Sequence, residues 1–409
     1  MLVRTFVFRL QPSRAQHASL AALLESERQM YNAALQERID AWRKAGLSIG
    51  LNDQTRSLTV IRHHDPVYGD RPYNVSKWTL KRLDDAMKGF FRRVKRGERP
   101  GFPRFRGPGR WTSFGFHQAG GLRIRRNRLL FSGGLVGGLR MKLHRPLPEG
   151  AILKSATFTR TGGIWRVALS MALPTPAENC NAAVLGVDVG VEHLATDSDG
   201  RHYANARIGY RRQQGLRRAA RALARCRRGS RRRRKVAARL RRVQRGIVNA
   251  RRTHLHQVAN AIVASAGTIV VEDLHLKNMT RSARGTADRP GSNVRQKAGL
   301  NRALADAAPG RLIAMIDYKA ASAGGRMIKV DPRSTSQTCS ACNAKVSKTL
   351  AMRRHVCACG ADLHRDHNAA FNIRLRGLEV LHEAARGLGE RNVGQWPVRA
   401  PGNADLVAA

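Results

Sequence analysis

Three acidic residues far apart in the sequence stand in or beside apolar segments. Asp188 interrupts an apolar, β-branched stretch, Glu272 ends the apolar run of residues 268–271, and Asp366 begins a helical pattern. An ionised carboxylate in apolar surroundings is costly unless an opposite charge pairs with it. If the three elements are neighbours, their carboxylates form a cluster that suits hard divalent cations, which prefer oxygen ligands and can activate water for attack on phosphate. The three residues therefore predict a site for Mg²⁺ or Mn²⁺.

Each of these acidic residues also has a purely structural interpretation. Asp188 suits a turn beside Gly190, and Asp366 suits the N-cap of a helix. Glu272, or its neighbour Asp273, can simply mark the end of a strand. Taken one at a time, the two interpretations have about equal support, but the three residues together in a strongly basic chain favour the metal site.

Four of the six cysteines form two close pairs in the sequence. The first pair has the C-x-x-C spacing typical of zinc sites, and the second, about 14 residues later, has the spacing C-x-C. Four thiolates suit a closed tetrahedral zinc site, which is structural rather than catalytic. The sequence therefore predicts a zinc ribbon, in which His355 or His364 is an alternative ligand for one position. The predicted ligands are Cys339, Cys342, Cys357 and Cys359.

The chain is strongly basic. Its 409 residues include 75 Lys and Arg against 28 Asp and Glu, a formal net charge of +47 at pH 7. An excess of this size is typical of proteins that bind nucleic acid. Residues 201–271 contain no acidic residue, and apolar positions recur there at helical spacing on both sides of Gly229 and Ser230. We therefore predict a basic helical hairpin near residues 205–262 that lies along a duplex, rather than a solvated or disordered segment. Its candidate nucleic-acid contacts are Arg231, Arg232, Arg233 and Arg234.

Length and hydropathy limit the class of protein. A chain of 409 residues with 42% hydrophobic content is long enough for two or three folded domains. No apolar run approaches the roughly 18 residues of a membrane span, and the N-terminus has no long apolar signal core. We therefore expect a cytoplasmic protein whose cysteines stay reduced.

The first 175 residues combine strand and helix patterns. Residues 2–10 alternate between apolar and other types, which predicts a strand, and a helical pattern begins at Ser13. A second helical pattern, residues 74–94, carries basic residues that suit contact with phosphate. Short alternating runs between residues 111 and 173 predict a small antiparallel barrel or sheet.

The order of the motifs resembles that of a known family. GVDVG around Asp188, VVEDLHLKNM around Glu272, VDPRSTSQTCSAC, CACG and LHRDHNAAFNI follow one another as in the TnpB proteins of bacterial insertion sequences. The N-terminal segments LQPSRAQ, MYNAAL and GFPRFRG are similar as well, so the resemblance covers nearly the whole chain. TnpB proteins are related to the compact Cas12 effectors of type V CRISPR systems.

The resemblance implies a fold of the class α/β plus β-barrel. It implies an RNase H-like RuvC nuclease domain with a zinc ribbon, preceded by a wedge-type β-barrel that carries a helical recognition insertion. The implied segments are the barrel in residues 1–12 and 110–175, the insertion in 13–109, the nuclease domain in 181–338 and 361–386, the zinc ribbon in 339–360 and a flexible tail in 387–409.

The resemblance also implies an activity, namely RNA-guided DNA cleavage at a single RuvC site by two-metal-ion phosphodiester hydrolysis. Asp188, Glu272 and Asp366 match the family's catalytic acids, which hold Mg²⁺ or Mn²⁺. Arg333, just before the ribbon, is a candidate for stabilising the developing charge or for anchoring a phosphate.

The implied partners are a guide RNA and double-stranded target DNA. Pairing with the RNA supplies sequence specificity, while the protein reads a short target-adjacent motif. Lys77 and Lys81 match the approximate region of the family that reads this motif. We expect a monomer that acts in the prokaryotic cytoplasm, at the nucleoid.

Two positions depart from the family pattern. The second cysteine pair is C-x-C where C-x-x-C is usual, and this spacing is a weaker indication of zinc binding. The usual DRD before NAA is here His364-Arg365-Asp366, so the catalytic position is kept while its acidic neighbour is lost.

Four other functions would use part of the same pattern. A compact Cas12-type effector would differ in genomic context. An unguided RuvC-like nuclease would use the same carboxylates, but the basic excess argues for a longer nucleic-acid partner. A non-cleaving RNA-guided DNA binder is disfavoured because all three acids are present, and a zinc-ribbon DNA-binding regulator would leave Asp188 without a role.

Overall fold

The computed structural model of the chain describes residues 2–116, 120–132, 137–286, 288–349 and 352–389. The chain divides into two units, Met1–Thr175 and Pro176–Ala409. None of the helices within these described ranges is long and apolar enough to cross a membrane. Residues 390–409 of the predicted flexible tail lie outside the described ranges.

Within the described residues, the first unit consists of one strand, four helices and six further strands. In chain order they are β1 (Leu2–Leu10), α1 (Arg14–Ala45), α2 (Leu51–His64), α3 (Pro66–Gly69), α4 (Tyr73–Lys95), β2 (Ser113–Phe116), β3 (Leu122–Arg125), β4 (Arg128–Phe131), β5 (Leu139–Lys142), β6 (Ile152–Thr161) and β7 (Ile164–Leu173).

The seven strands of the first unit form one antiparallel sheet in the order β2-β6-β7-β1-β5-β4-β3, which is barrel-like and nearly closed. In β1, Phe6, Phe8 and Leu10 are buried while the residues between them are exposed, because successive side chains of a strand point to opposite faces. The rings of Phe114 and Phe158 stack in the core with centroids 4.8 Å apart. The predicted antiparallel barrel or sheet is confirmed.

Helices α1 and α4 pack through a buried polar contact. A capping box fixes the start of α1, where Ser13 Oγ accepts from the Gln16 N–H and the Gln16 side chain accepts from the Ser13 N–H. Further along α1, the buried Glu27 carboxylate accepts hydrogen bonds from Ser76 and Thr79 of α4 at 3.0 and 2.5 Å. Burial raises the pKa of Glu27, against the effect of these two hydroxyls.

The second unit consists of seven strands and seven helices within the described ranges. They are β8 (Val184–Asp188), β9 (His193–Asp197), β10 (His202–Ala204), α5 (Ile208–Arg211), α6 (Gln213–Ala224), α7 (Arg231–Ser265), β11 (Thr268–Glu272), α8 (Leu276–Met279), α9 (Val294–Ala307), α10 (Pro309–Ser322), β12 (Arg326–Val330), β13 (Arg354–Val356), β14 (Asp362–His364) and α11 (Arg365–Gly389).

Five of these strands form a mixed sheet in the order β10-β9-β8-β11-β12. Strand β11 is parallel to both β8 and β12, whereas β9 is antiparallel to β8 and β10. Helix α11 lies close against β8, since a Cβ added at Gly186 would lie only 2.1 Å from the carbonyl oxygen of Ala370. Glycine at position 186 therefore permits the approach of α11 to the strand that ends in Asp188.

The most basic segment forms the helices α6 and α7. Ser230 is the N-cap of α7, and its Oγ accepts a hydrogen bond from the Arg233 N–H at 3.0 Å. The guanidinium of Arg233 donates to the carbonyl oxygens of Leu223 and Cys226 at 2.9 and 3.0 Å. Arg233 therefore satisfies carbonyl groups at the end of α6 and fixes the turn between the two helices.

Candidate active site

The three acidic residues come together at one edge of the mixed sheet. Asp188 and Glu272 are the last residues of β8 and β11, and Val187 lies opposite Val271 in the parallel register, so both carboxylates stand at the same edge. Asp366 lies in the first turn of α11. The pKa of Asp188 is raised well above its ordinary value, first by burial and then by the negative charges of Glu272 and Asp366. Burial and like charges therefore act on Asp188 in the same direction.

Neighbouring groups offset this negative charge only in part. Burial raises the pKa of Glu272, even though the Thr335 hydroxyl donates to its Oε1 at 2.6 Å and Arg376 acts to lower the pKa. Arg365 opposes the rise at Asp188 in the same way. The raised pKa values of Asp188 and Glu272 suit a divalent cation nearby, because its positive charge would stabilise both carboxylates in the ionised form.

The distances between the three carboxylates can be compared with the size of the ligand shell of one cation. Among the residues that the structure describes, the carboxylate oxygens of Asp188, Glu272 and Asp366 do not all lie within 4.8 Å of one another. Ligands of one Mg²⁺ lie about 2.0–2.1 Å from the ion, hence within about 4.2 Å of each other. The cluster is therefore wider than the ligand shell of a single ion.

Replacing Asp188 by Asn is expected to stabilise the metal-free protein at neutral pH. The folded protein holds the Asp188 proton more tightly than the unfolded chain does, so stability falls as the pH rises above about 4 towards the raised pKa. The loss is up to about 1.4 kcal/mol per pH unit, and the neutral amide removes it. Urea unfolding in Mg²⁺-free buffer should show a small gain at pH 4 and a larger gain at pH 7. An equal gain at both pH values would contradict the assignment.

The four predicted zinc ligands form a second cluster. One Sγ atom from each cysteine lies within 4.8 Å of the other three, with 3.7 Å between Cys339 and Cys359 and 3.6 Å between Cys342 and Cys357. Burial acts to raise the pKa of Cys339, but hydrogen bonds from backbone N–H groups outweigh it and lower the pKa to about 6. In the same set, a backbone hydrogen bond acts to lower the pKa of Cys342, but contacts with the other thiols raise it to about 12. Four sulfur atoms at these distances fit a closed tetrahedral zinc site.

The two alternative zinc ligands have different surroundings, and a hydrogen bond from His355 is among the contacts that lower the pKa of Cys339. His355 is buried, and its Nδ1 contacts the Lys348 ammonium. His364 ends β14 and hydrogen-bonds through Nδ1 to the Asp366 backbone N–H at 3.2 Å. The C-x-C spacing of the second pair is therefore compatible with four sulfur ligands.

Two buried asparagines of α11 join the cysteine cluster to the acidic cluster. Asn368 Oδ1 accepts from the Ser340 N–H, and its Nδ2 donates to the Thr338 carbonyl. Asn372 Nδ2 donates to the carbonyl oxygens of Thr335 and Thr338, both at 2.7 Å. Thr335 in turn holds Glu272, so one continuous set of hydrogen bonds runs from the first cysteine pair to the carboxylates. Sequence reasoning missed these residues because short polar side chains that bond to a distant backbone have no periodic pattern.

An arginine that the sequence did not single out acts on Glu272. Arg333 has an 89% exposed side chain and lies 3.8 Å from the Asp331 carboxylate. Arg376 of α11 is the guanidinium that acts on the pKa of Glu272, and it also donates to the Asp331 and Arg333 carbonyl oxygens. Arg376 thus holds the loop before the ribbon against the helix.

The predicted nucleic-acid contacts have different surroundings. In the first unit, Lys77 and Lys81 are four residues apart on α4, where Lys77 lies over the Tyr73 ring and Lys81 pairs with Asp85 at 2.7 Å. In the second unit, the side chain of Arg233 is engaged with α6, as described above. Arg231, Arg232 and Arg234 are exposed at the start of α7.

Three family models match parts of the chain. The model OrfB_IS605, described as "Probable transposase", matches residues 167–283, and one described as "Cas12f1-like, TNB domain" matches residues 310–373. A third, HTH_OrfB_IS605, described as "Helix-turn-helix domain", matches residues 1–46, which in this structure contain β1 and α1.

Similar proteins cover nearly the whole chain. "Putative RNA-guided DNA endonuclease InsQ" of Escherichia coli (strain K12) is 29% identical over 385 residues, 93% of each chain. "Putative RNA-guided DNA endonuclease" of Streptomyces pristinaespiralis is 29% identical over 412 residues, 97% of each chain. A solved complex of Cas12f1 with sgRNA and target DNA aligns to 91% of this chain and 99% of that one, at 15% identity and a TM-score of 0.32. These family matches and relatives confirm the resemblance to the TnpB proteins of insertion sequences that the motif order indicates.

Proposed function

We propose that the chain is a transposon-associated, RNA-guided DNA endonuclease that hydrolyses phosphodiester bonds at a single site formed by Asp188, Glu272 and Asp366. The observation that carries the proposal is the convergence of these carboxylates in a chain of net charge +47. The two relatives that span nearly the whole chain bear names of the same activity. Clustered acids are the ligands that metal-dependent phosphodiester hydrolysis needs, and the basic excess supplies affinity for two nucleic-acid partners.

The donor set fits Mg²⁺ or Mn²⁺, because it offers oxygen atoms and surplus negative charge. A divalent cation bound there supplies activation of water and stabilisation of the leaving oxygen. The chain's own groups keep the acids in place. The Thr335 hydroxyl orients Glu272, and Arg365 and Arg376 limit the repulsion among the acids.

The two units have the domain roles that the family resemblance implies. The second unit contains the RuvC-like nuclease domain, with the cysteine cluster as a structural zinc ribbon. The barrel-like sheet of the first unit is the wedge-type domain, and its helices α1–α4 are the recognition insertion, with Lys77 and Lys81 directed at the target-adjacent motif. Exposed arginines at the start of α7 bind phosphate, and RNA pairing selects the DNA. The protein acts in the cytoplasm as a monomer with one guide RNA.

The test is to express the protein together with its native flanking DNA, purify it in high salt, and sequence the RNA that stays bound. We expect one discrete RNA with a variable end. A DNA carrying the sequence of that variable end should then be cut in Mg²⁺, while a scrambled DNA is not. Heterogeneous, salt-labile RNA together with equal cutting of both DNAs would contradict guidance and leave an unguided nuclease.

A further inference from the structure

A group of two histidines and one glutamate lies beside the carboxylate cluster. One ligand atom each from Glu192, His193 and His364 lies within 4.8 Å of the other two. Glu192 stands in the bend before β9, His193 begins β9, and His364 ends β14. Adjacent residues of a regular strand point to opposite faces, and the bend at Glu192 is what lets it share a site with His193.

The surroundings of this group are also rich in imidazole. The ring of His202 stacks on that of His193 with centroids 4.4 Å apart and meets the ring of His364 edge-on at 4.9 Å. His202 Nδ1 is hydrogen-bonded to the Thr196 hydroxyl at 3.0 Å, which fixes its ring.

The other contacts of the group leave ligand atoms accessible. Arg353 Nε lies 2.8 Å from Glu192 Oε2, which leaves the second carboxylate oxygen of Glu192. Among the described residues, His364 hydrogen-bonds through Nδ1, to the Asp366 N–H, and not through Nε2. Within the described part of the chain, His193 has ring contacts and no hydrogen bond through either ring nitrogen.

We propose that Glu192, His193 and His364 form a binding site for a borderline transition-metal ion such as Zn²⁺, in addition to the cysteine cluster. Imidazole nitrogen suits zinc and related ions, whereas Mg²⁺ prefers an all-oxygen shell, so the site and the acidic cluster differ in the metal that they select. Two histidines and one carboxylate also leave a coordination position open, unlike four thiolates. His202 supports the ligand rings and is not itself a ligand.

Metal binding here has a consequence for Asp366. If His364 binds the ion through Nδ1, the lone pair that accepts from the Asp366 N–H is used. If it binds through Nε2, the ring proton moves to Nδ1, which then faces Asp366 Oδ2 at 4.0 Å as a donor. Either way the present hydrogen bond from the Asp366 N–H is lost, and the ion links the β13–β14 hairpin to β9.

The test measures zinc in the full-length protein after dialysis against Zn²⁺ in excess Mg²⁺, by elemental mass spectrometry. We expect two zinc ions per chain in the wild type, one in the cysteine cluster and one here. His193→Gln should bind one ion, and the matched substitution His275→Gln, of an exposed histidine that does not belong to the group, should bind two. The second zinc ion should also raise the unfolding temperature of the wild type and of His275→Gln above the value measured when only the cysteine cluster holds zinc. The unfolding temperature of His193→Gln should not rise above that value.

A second variant separates loss of a ligand from loss of local structure. His202→Gln removes a ring from the same cluster and should still bind two ions. Equal zinc content in the wild type and His193→Gln would overturn the proposal, and so would a drop to one ion in His202→Gln. Because the readout is metal content, the result is independent of whether the chain cuts DNA.

Discussion

Guided DNA cleavage in Mg²⁺ is expected to fall by at least about 10³-fold when Asp188 is replaced by Asn, a loss of the size seen when one member of a catalytic group is removed. The amide keeps the shape of the side chain, but it has no charge with which to bind a cation. The contacts of the protein with RNA and DNA elsewhere are unchanged, so the affinity for both should stay within a few-fold. Single-turnover cleavage and filter binding, performed on the same complex, measure the two quantities.

The matched control for this substitution is Asp273→Asn. Asp273 follows Glu272 directly, is 54% exposed and pairs with Lys329 at 3.3 Å. Its loss changes the charge near the site without touching the three acids, so cleavage should remain within about two-fold of the wild type, as for a surface ion pair. The assignment of Asp188 fails if the two variants cut at similar rates.

Removal of the cysteine cluster is expected to have the largest effect on stability. Structural zinc contributes about 10–16 kcal/mol to the folding of zinc-finger peptides. If only about 4 kcal/mol of this applies to the second unit, Cys339→Ser with Cys357→Ser should lower its unfolding temperature by roughly 8–16 °C. Cleavage should fall as well, because the hydrogen bonds through Asn372 and Thr335 to Glu272 begin at this cluster.

The control for the thiols is the double substitution Cys180→Ser and Cys226→Ser, because neither cysteine belongs to the cluster. This variant should keep the zinc content and the unfolding temperature of the wild type. Calorimetry together with zinc analysis distinguishes the two double variants. An unfolding temperature that does not change when Cys339 and Cys357 are replaced would refute a structural role for the cluster.

The convergence of the acids could be predicted because simple rules govern it. Asp188 and Glu272 each end an apolar run, and neighbouring parallel strands place such ends at one edge of a sheet. The cysteine cluster could be predicted from spacing alone, since the sulfur atoms of a C-x-x-C pair are already close through the chain. The catalytic role of the acids and the boundaries of the domains stay predictions.

Residues that act across the fold could not be predicted in this way. Arg376 lies beside Glu272 only because α11 packs on the sheet, and its position in the sequence resembles that of any basic helix residue. Arg233 belongs to a run of four arginines, yet it alone binds the carbonyl groups of α6. The histidine group depends on a bend and on a hairpin that meet only in three dimensions. Residues of the same type thus have different roles, because their roles depend on the tertiary contacts that they make.

The absence of acidic residues from position 201 to 271 has a consequence for the life of the protein in the cell. Helices α6 and α7 carry many like charges whose mutual repulsion weakens the fold until a polyanion neutralises them. A bound RNA stabilises the folded chain by mass action, whereas chains made in excess of RNA unfold more often and are open to proteases. With the proposed function, the amount of folded nuclease in the cell depends on the supply of its guide RNA. This dependence limits the number of DNA breaks that one insertion sequence causes in its host.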